Sequence, residues 1–420
     1  MRIAFVNQPW SVVRPAAGGH DSISIWILAV ARLLARAADI VCYSRTAPGL
    51  ARTEHYDAVE HRRIPVAIDR VTRPLRILDR WRVLNPRRPF FASRLFYLQY
   101  GLLVARDLRT HACDVVHIMN FSQFVPLIRA LNPKIKIVLH MQCEWLSQLD
   151  PGMIEPRLRQ VDLVIGCSEH VTRRVREAFP SLSDRCRTVY NGVDPDRFFP
   201  AKTDPTATRG RTGRVLFVGL VSPHKGVHVL LEAFQQVLDR LPEAQLQIVG
   251  WNFVLPREFM GPLDDDATVA VLAPHLKDAS YPARLRELVR RSPALAGRVS
   301  FTGSVSHLDM PARYRDADVV TVPSVWHEPF GMPVAEAMST GVPVVATRSG
   351  GIVEQVEDGK TGLLVERGDA KALANALVRL LSDDDLRARM GKAAGQRAAE
   401  HFSWDRIANR VWSEYQSLTT

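Results

Sequence analysis

Two glutamates near residue 330 have a spacing that suits the binding of a phosphorylated sugar. Glu328 and Glu336 flank the sequence Pro-Phe-Gly-Met-Pro-Val-Ala, which predicts a sharp turn and then a helix that opens with Pro333. The free N–H groups at a helix start carry partial positive charge and bind phosphate. Carboxylates bind phosphate poorly but accept hydrogen bonds from sugar and ribose hydroxyls. The segment therefore indicates a nucleotide-sugar site, the alternative for either glutamate alone being a solvated carboxylate at a helix end.

The elements that would position this segment alternate between strands and helices along the whole chain. Apolar runs typical of buried strands occur at 3–6, 40–43, 115–118, 135–139 and 163–167, and again at 215–218, 246–249, 299–301, 319–322, 342–346 and 363–365. Such alternation predicts mostly parallel sheets with helices on both faces. A polar linker with proline and glycine at 200–213 separates two halves, so we expect an α/β domain in residues 1–200 and a second in 201–402.

Two common nucleotide-binding classes are disfavoured by the loops that follow the first strand of each half. The first strand leads into Asn7-Gln8-Pro9-Trp10 instead of the G-x-G-x-x-G fingerprint of dinucleotide enzymes. In the second half, Gly219 and Lys225-Gly226 lack the G-K-[ST] ending of a P-loop. A hydride-transfer enzyme and a P-loop NTPase are therefore not expected.

The sequence around the two glutamates resembles the retaining glycosyltransferases of family 4. Glu328 and Glu336 match the Glu-x(7)-Glu signature of that family. Further matches are residues 218–226 (the phosphate-binding segment), 191–194, 303–305 and 350–354. The resemblance covers nearly the whole chain and is strongest in 188–369. It implies the GT-B architecture, with two facing Rossmann-like domains of doubly wound parallel sheet, a cleft between them, and a C-terminal helix at about 403–420 that packs on the N-terminal domain.

The resemblance also implies roles for individual residues. It implies that Glu328 binds the hydroxyls of the donor sugar, Glu336 the ribose, and Lys225 the diphosphate. The donor-binding set is then Gly18, Gly19, Lys225, Glu328, Phe330, Gly331, Met332, Val334 and Glu336, and the catalytic set is His140, Glu328 and Lys225. The structural alternatives are a surface lysine at 225, a core histidine at 140 and an ordinary turn at Gly18-Gly19.

This sequence departs from the family at two positions. Leu220 stands where the family usually has arginine, so either one cationic contact to the diphosphate is absent or another arginine supplies it. Met141 replaces the aspartate that usually follows the active-site histidine, here His140. Three aspartates at 264–266 suit a solvated loop better than a metal site, and the resemblance implies neither a metal nor another cofactor.

The implied reaction transfers a hexosyl group from a UDP- or GDP-sugar to an acceptor hydroxyl with retention of configuration. Because both glutamates are assigned to hydroxyls, we expect same-face attack in place of the covalent intermediate that retaining glycosidases form. His140 is expected to orient the sugar and to support the oxocarbenium-like transition state. The connection at 188–213 is the expected hinge for closure of the cleft.

The charge of the chain is concentrated in its first half. Residues 1–200 hold 29 basic and 18 acidic side chains, which account for the whole net charge of +11. Eight arginines between residues 70 and 94 alternate with apolar residues such as Phe90 and Phe91. This pattern suits an anionic membrane or a phosphorylated, lipid-linked acceptor, and the alternative is an ordinary helix whose arginine stems pack over the sheet. The candidate acceptor or membrane residues are Arg80, Arg82, Arg87 and Arg88.

The remaining composition predicts the compartment and the competing functions. Five cysteines without a C-x-x-C pair indicate free thiols in a reducing cytoplasm, and no apolar run is suited to cross a membrane. We therefore expect a cytoplasmic protein, with contact at the inner face of the membrane, whose partners are a nucleotide sugar and a glycan, lipid-linked or small-molecule acceptor. The alternatives are a GT-B nucleotide-sugar epimerase and a basic nucleic-acid-binding protein with a pI of about 9.7, although no nucleic-acid motif is present.

Overall fold

The computed structural model describes residues 1–17, 21–76, 79, 85–200, 213–260, 266–272 and 274–419. Within these ranges the chain forms two compact units, each built on its own sheet. The first unit comprises residues 1–191 and the C-terminal segment from 404, and the second comprises residues 192–403.

The first unit contains an eight-stranded sheet. Its strands are β1 (Arg2–Val6), β2 (Asp39–Arg45), β3 (Thr53–Tyr56), β4 (Val59–Ile64), β5 (Val115–Met119), β6 (Lys136–Met141), β7 (Leu163–Gly166) and β8 (Cys186–Thr188). They lie in the order β3-β4-β2-β1-β5-β6-β7-β8, and only the edge pair β3 and β4 is antiparallel. The helices between them are α1 (Ser22–Leu34), α2 (Ala67–Thr72), α3 (Leu98–Thr110), α4 (Val125–Leu131), α5 (Trp145–Gln148), α6 (Pro151–Leu158) and α7 (Glu169–Ala178).

Helices cover both faces of this sheet, as the apolar sequence of its central strands requires. On one face the indole of Trp26 in α1 lies 5.9 Å from the ring of Phe5 in β1. On the other face the Tyr43 hydroxyl donates a 2.7 Å hydrogen bond to Asp107 in α3. The start of α1 is fixed by a capping box, in which the Asp21 carboxylate accepts from the backbone of the first turn.

The second unit contains a six-stranded, fully parallel sheet. Its strands are β9 (Arg214–Val218), β10 (Gln245–Val249), β11 (Val299–Gly303), β12 (Val319–Val322), β13 (Val344–Thr347) and β14 (Gly362–Val365). Its helices are α8 (Val227–Leu238), α9 (Ala267–Ala270), α10 (Tyr281–Arg291), α11 (Met310–Asp316), α12 (Met332–Ser339), α13 (Ile352–Gln355), α14 (Ala370–Ser382) and α15 (Asp384–His401). The helices α8 and α14 pack together, and Leu230, Phe234 and Leu377 belong to one buried core.

The strand order of this second sheet, β11-β10-β9-β12-β13-β14, defines where a ligand would bind. From β9 the chain proceeds outward to one edge, and from β12 it proceeds outward to the other. The connections therefore diverge beyond the carboxyl ends of β9 and β12, which is the place where open α/β sheets bind ligands.

The chain passes between the two units at two neighbouring points. It leaves the first unit after Asn191 and returns at Trp404. Val193 forms a parallel bridge with Ser403, and its N–H donates a 2.7 Å hydrogen bond to the Phe402 carbonyl. The last helix, α16 (Trp404–Thr419), then packs on α1 of the first unit.

The structure contains every strand predicted from an apolar run. Three further strands, β3, β4 and β8, were not predicted. Their sequences are Thr-Glu-His-Tyr, Val-Glu-His-Arg-Arg-Ile and Cys-Arg-Thr, in which charged residues interrupt any apolar run. β3 and β8 are the two edge strands of the first sheet and β4 lies next to β3, and all three are less buried than the central strands.

Candidate functional site

The loops that follow β9 and β12 are in direct contact with each other. Gly226 ends the first loop with a φ of 73°, and a Cβ there would lie 1.9 Å from the carbonyl oxygen of Pro323 in the second loop. The Val325 N–H donates a 2.9 Å hydrogen bond to the His224 carbonyl. Only glycine permits this approach at position 226, so the sequence Lys225-Gly226 brings the lysine against the second loop.

Glu328 lies in the second loop and accepts hydrogen bonds from three side chains. Lys225 Nζ lies 2.7 Å from both carboxylate oxygens. Ser324 Oγ donates to Oε2 at 2.9 Å, and Trp326 Nε1 donates to the same oxygen at 3.0 Å. The side chain of Glu328 is buried and that of Lys225 is partly exposed. The structure therefore joins two predicted site residues in one ion pair.

This ion pair determines the protonation of Glu328. Burial by itself raises the pKa of the carboxyl, but the Lys225 ammonium and the Trp326 and Ser324 donors outweigh it, so the pKa lies below its usual value. Lys225 Nζ also lies 5.3 Å from the centroid of the Trp326 ring. Glu328 is thus an ionised, fully hydrogen-bonded acceptor at neutral pH.

The backbone of Glu328 is held as firmly as its side chain. Its N–H donates to Ser349 Oγ at 2.9 Å, and its carbonyl accepts from the Gly351 N–H at 2.8 Å. Gly350 has a φ of 48°, and a Cβ there would lie 2.1 Å from the Glu328 carbonyl oxygen. The small residues at 349–351 therefore permit this close approach and fix the position of the carboxylate.

The start of α12 lies immediately after Glu328. Gly331 caps the helix with a φ of 95°, and Met332 is the first helical residue, one position before the predicted Pro333. The side chains of Phe330, Met332 and Val334 are buried, which leaves the backbone of this turn as the group that can face a ligand. Val334 was predicted to bind the sugar donor. Its backbone N–H already donates a 2.9 Å hydrogen bond to the Gly331 carbonyl within the protein.

Glu336 lies on the same helix, with a separate set of partners. The Tyr314 hydroxyl donates to Oε2 at 2.6 Å, and His307 Nε2 lies 2.8 Å from Oε1. Burial and the adjacent carboxylate raise the pKa of Tyr314 well above its usual value, so this hydroxyl stays protonated. Sequence reasoning missed both of these partners of Glu336.

His140 belongs to the first unit, whereas Lys225 and Glu328 belong to the second. It lies near the end of β6 and is fully buried, with its ring centroid 4.7 Å from that of Trp26. Its ring nitrogens lie 3.0 Å from His117 Nε2 and 3.0 Å from Gln142 Nε2. Burial lowers the pKa of His140 to about 3, so the imidazole is neutral at physiological pH.

Several predicted residues lie outside the described ranges, namely Gly18, Gly19, Arg80 and Arg82. Arg87 and Arg88 are exposed, and Arg88 forms a 2.8 Å ion pair with Asp150. Phe90 and Phe91 are buried, so these two aromatic residues are part of the core and not of a membrane-facing surface. The part of the chain that the structure describes contains no helix long and apolar enough to span a bilayer.

Of the three aspartates at 264–266, the structure describes Asp266. It caps α9 and accepts a 2.6 Å hydrogen bond from Arg367, while His327 Nε2 lies 3.0 Å from the same oxygen. No group of three or more potential metal ligands occurs among the described residues. Within the same ranges, Lys225 is the cationic side chain that pairs with Glu328, and position 220 supplies only a half-buried leucine.

Two family models match this chain. A model described as Glycosyltransferase Family 4 matches residues 23–197, and one described as Glycosyl transferases group 1 matches residues 200–397. Together they span most of both units. The chain belongs to glycosyltransferase family 4.

Curated relatives of this family 4 glycosyltransferase are found along its whole length. It is 26% identical to spore coat protein SA of Bacillus subtilis over 99% of both chains. It is 33% identical to a D-inositol 3-phosphate glycosyltransferase of Corynebacterium urealyticum, over 62% of this chain and 57% of the relative. Glycosyl transfer as the general activity thus follows from the family.

Solved structures show the same fold. Sucrose-phosphate synthase from Thermosynechococcus elongatus superposes with a TM-score of 0.74 at 23% identity, covering 100% of this chain and 99% of the other. HepE from Anabaena, solved in complex with UDP-glucose, superposes with a TM-score of 0.70 at 19% identity, covering 99% and 100%. The predicted fold class, α/β domains of the GT-B type with parallel sheets, is confirmed.

Proposed function

We propose that this family 4 glycosyltransferase is a retaining hexosyltransferase that uses a nucleoside-diphosphate sugar, with UDP as the favoured nucleotide. The observation that carries the proposal is the buried Glu328 carboxylate, which Lys225 holds at 2.7 Å directly before the start of α12. An ionised acceptor for hydroxyls, a cation and a helix start are the groups that a sugar diphosphate requires. The UDP-glucose complex of HepE, which shares the fold, supports the choice of nucleotide.

Each group has a distinct role in the proposed complex. Glu328 accepts hydrogen bonds from hydroxyls of the sugar, and Glu336 from those of the ribose. Lys225 and the backbone at the start of α12 stabilise the negative charge that grows on the departing diphosphate. A preorganised donor of this kind contributes about 3 kcal/mol to transition-state stabilisation. No metal or other cofactor is required by this assignment.

Retention is proposed to proceed by attack on the face from which the diphosphate leaves. The bond between the anomeric carbon and the phosphate oxygen breaks, the acceptor oxygen bonds to the anomeric carbon, and its proton passes to the leaving phosphate. A covalent route would need a carboxylate free to act as nucleophile. Glu328 is engaged with Lys225, Ser324 and Trp326, which favours its role in hydroxyl binding. His140 is proposed to orient the sugar through its ring N–H.

The acceptor is proposed to be anionic and to be met at the inner face of the membrane, in the cytoplasm. Residues 1–200 hold the whole net charge of +11, and the inositol phosphate named for the corynebacterial relatives is an anion. Ile68, Val71 and Leu75 are exposed apolar side chains in the arginine-rich region. Such a combination favours adsorption to an anionic lipid surface.

The donor and the stereochemistry are tested first. Thermal shift with UDP-, GDP- and ADP-sugars is expected to identify one nucleotide by the increase in melting temperature. Proton NMR of the product should then show the same anomeric configuration as the donor, and inversion would overturn the mechanism. Donor incubated without an acceptor should not epimerise, whereas an epimerase would convert it. Steep salt-dependent binding to nucleic acid without transfer would favour the basic nucleic-acid-binding alternative.

The membrane contact is tested by co-sedimentation with vesicles of phosphatidylglycerol and phosphatidylcholine. The variant Arg87→Glu/Arg88→Glu is expected to bind less than the wild type because it reverses two exposed charges of the arginine-rich region. The variant Arg106→Glu/Arg109→Glu carries the same charge change on exposed positions of α3 and is the matched control. Equal binding by all three proteins would refute the contact.

A further inference from the structure

A chain of hydrogen-bonded side chains leads from α16 through two buried histidines. Tyr415 Oη lies 2.6 Å from His117 Nδ1, and His117 Nε2 lies 3.0 Å from His140 Nδ1. On the other side, His140 Nε2 lies 3.0 Å from the side-chain amide of Gln142. That amide and the one of Asn191 share two hydrogen bonds of 2.8 Å. All five residues belong to the first unit.

Both histidines in this chain are neutral. His117, His140 and Tyr415 have no solvent exposure. Burial lowers the pKa of His140 to about 3 and that of His117 well below its usual value, and it raises the pKa of Tyr415. Each imidazole therefore has one N–H and one lone pair, and the tautomer of one ring dictates that of the other.

The Tyr415 hydroxyl determines which group donates and which accepts at each step of this series of hydrogen bonds. A buried O–H group needs an acceptor, and among the described residues its hydrogen-bonding partner is His117 Nδ1. If the hydroxyl donates there, His117 carries its hydrogen on Nε2 and donates to His140 Nδ1. His140 then carries its own hydrogen on Nε2.

The side-chain amides of Gln142 and Asn191, at the other end of the series, can accept a hydrogen bond from His140 without losing the hydrogen bonds between them. The oxygen and nitrogen of a side-chain amide have nearly the same shape, so Gln142 and Asn191 can turn together and keep both mutual hydrogen bonds. Gln142 then presents its carbonyl oxygen to the His140 Nε2–H. The opposite direction would leave the Tyr415 O–H without an acceptor among the described residues, and a buried unpaired donor is costly.

We propose that Tyr415 is a positioning residue for glycosyl transfer. Acting through His117, it holds His140 as the Nε2–H tautomer, whose hydrogen is donated to the oxygen of the turned Gln142 amide. When a hydroxyl oxygen of the donor sugar takes the place of the half-buried Gln142 amide, this tautomer can donate the same hydrogen bond to the sugar. This inference rests on the proposed function, in which His140 orients that sugar. It also gives the C-terminal helix, which returns to the first unit after the second is complete, a function in the reaction.

The direct test is the tautomer of His140, measured by nitrogen NMR in protein labelled with ¹⁵N-histidine. Signals of His140 are assigned with the variant His140→Gln. The wild type is expected to show a pyrrole-type Nε2 and a pyridine-type Nδ1. In Tyr415→Phe the preference weakens by about tenfold in tautomer ratio, the value of one net hydrogen bond. We expect kcat to fall in proportion to the lost Nε2–H population, with little change in the KM of the donor.

Two further variants distinguish a change in the His140 tautomer from a general loss of stability. Tyr100→Phe is the matched control, because Tyr100 is equally buried in the first unit and its hydroxyl donates to the Asn7 and Tyr43 carbonyls instead of a histidine. It should lose stability without a change in the His140 signals or in kcat. Should Tyr415→Phe fail to fold, His117→Gln interrupts the same chain and is expected to mix the tautomers in the same way.

The outcomes separate this inference from the proposed function beneath it. Unchanged His140 signals in folded Tyr415→Phe or His117→Gln protein would overturn the inference, and so would mixed tautomers with unchanged kcat. Mixed tautomers with a proportional loss of kcat would support it. Full activity of His140→Gln would instead refute the proposed role of His140, whatever the NMR spectra show.

Discussion

Replacing Lys225 with methionine removes a cation from two places at once. In the folded protein the ammonium neutralises the buried Glu328 carboxylate at 2.7 Å. In the proposed reaction it also stabilises the charge on the departing diphosphate. Methionine keeps the length of the aliphatic stem, so the packing against Trp326 changes little and the effect is electrostatic. We expect Lys225→Met to lose both stability and activity.

The loss of stability in Lys225→Met comes from the negative charge of Glu328, which stays buried without its partner. Removing one partner of a buried ion pair costs about 3–5 kcal/mol, and the partial exposure of the Lys225 side chain (20%) places the cost near the lower value, about 3 kcal/mol. For a domain of this size, that lowers the melting temperature of the second unit by about 6–12 °C. The loss of transition-state stabilisation lowers kcat/KM by about 10²–10³-fold.

The pH dependence of the stability loss identifies the unpaired Glu328 carboxylate as its cause. In the wild type the pKa of Glu328 is lowered, so its contribution to stability is present above the unfolded pKa of about 4.3 and is lost as the pH falls through the folded pKa. Without Lys225, burial raises the pKa of Glu328. The carboxylate then destabilises the fold at neutral pH, and this penalty disappears on protonation. The stability difference between the two proteins should therefore narrow as the pH falls from neutral toward the unfolded pKa of about 4.3.

Urea unfolding followed by circular dichroism at several pH values measures this difference. Lys225→Met/Glu328→Gln should recover most of the stability, because no buried charge remains, but not the transfer activity. Lys360→Met is the control, since this exposed lysine forms a surface ion pair with Glu357 in the same unit. A stability difference that is the same at every pH, or a double variant no more stable than Lys225→Met, would refute the reasoning.

Three further predictions concern the surroundings of the same site. Gly350→Ala should displace Glu328 and lower kcat/KM by about 100-fold, whereas Gly359→Ala, with a φ of 78° but open space around it, should retain activity in the same transfer assay. Glu336→Gln, which leaves Tyr314 and His307 without an ionised partner, should weaken UDP binding about tenfold by calorimetry with little change in kcat. Transfer should be unaffected by EDTA, and activity restored only by added Mg²⁺ would contradict the assignment of no metal.

The strands could be predicted from the sequence wherever their burial requires a continuous run of apolar residues. Strands such as β5 and β12 are buried on both faces and consist almost wholly of apolar residues, so their type and position follow from sequence alone. β4 has the sequence Val-Glu-His-Arg-Arg-Ile, and its charges are neutralised by partners such as Asp107, distant in sequence. Pairing of that kind is decided by the folded structure and has no local pattern.

The same limit applied to the site. Glu328 and Glu336 could be predicted from the turn and helix start between them and from the family signature, and Lys225 from its match to the phosphate-binding segment of the family. Tyr314 and His307 precede Glu336 by more than twenty residues, and neither has a flanking pattern that marks it as a partner of a carboxylate. Only the packing of α11 against α12 brings Tyr314 to that position.

Because Lys225 and Glu328 are paired with each other, their proposed roles in binding the diphosphate and the sugar are not independent. An ammonium has three N–H donors, and here it lies 2.7 Å from both oxygens of Glu328, so much of its charge is already neutralised. A sugar hydroxyl that donates to Glu328 competes with Lys225 for those oxygens and thereby releases the ammonium toward the diphosphate. With leucine at position 220, no arginine there supplies a second charge. Sugar and diphosphate binding should therefore reinforce each other, and a nucleoside diphosphate alone should meet a lysine still held by its glutamate.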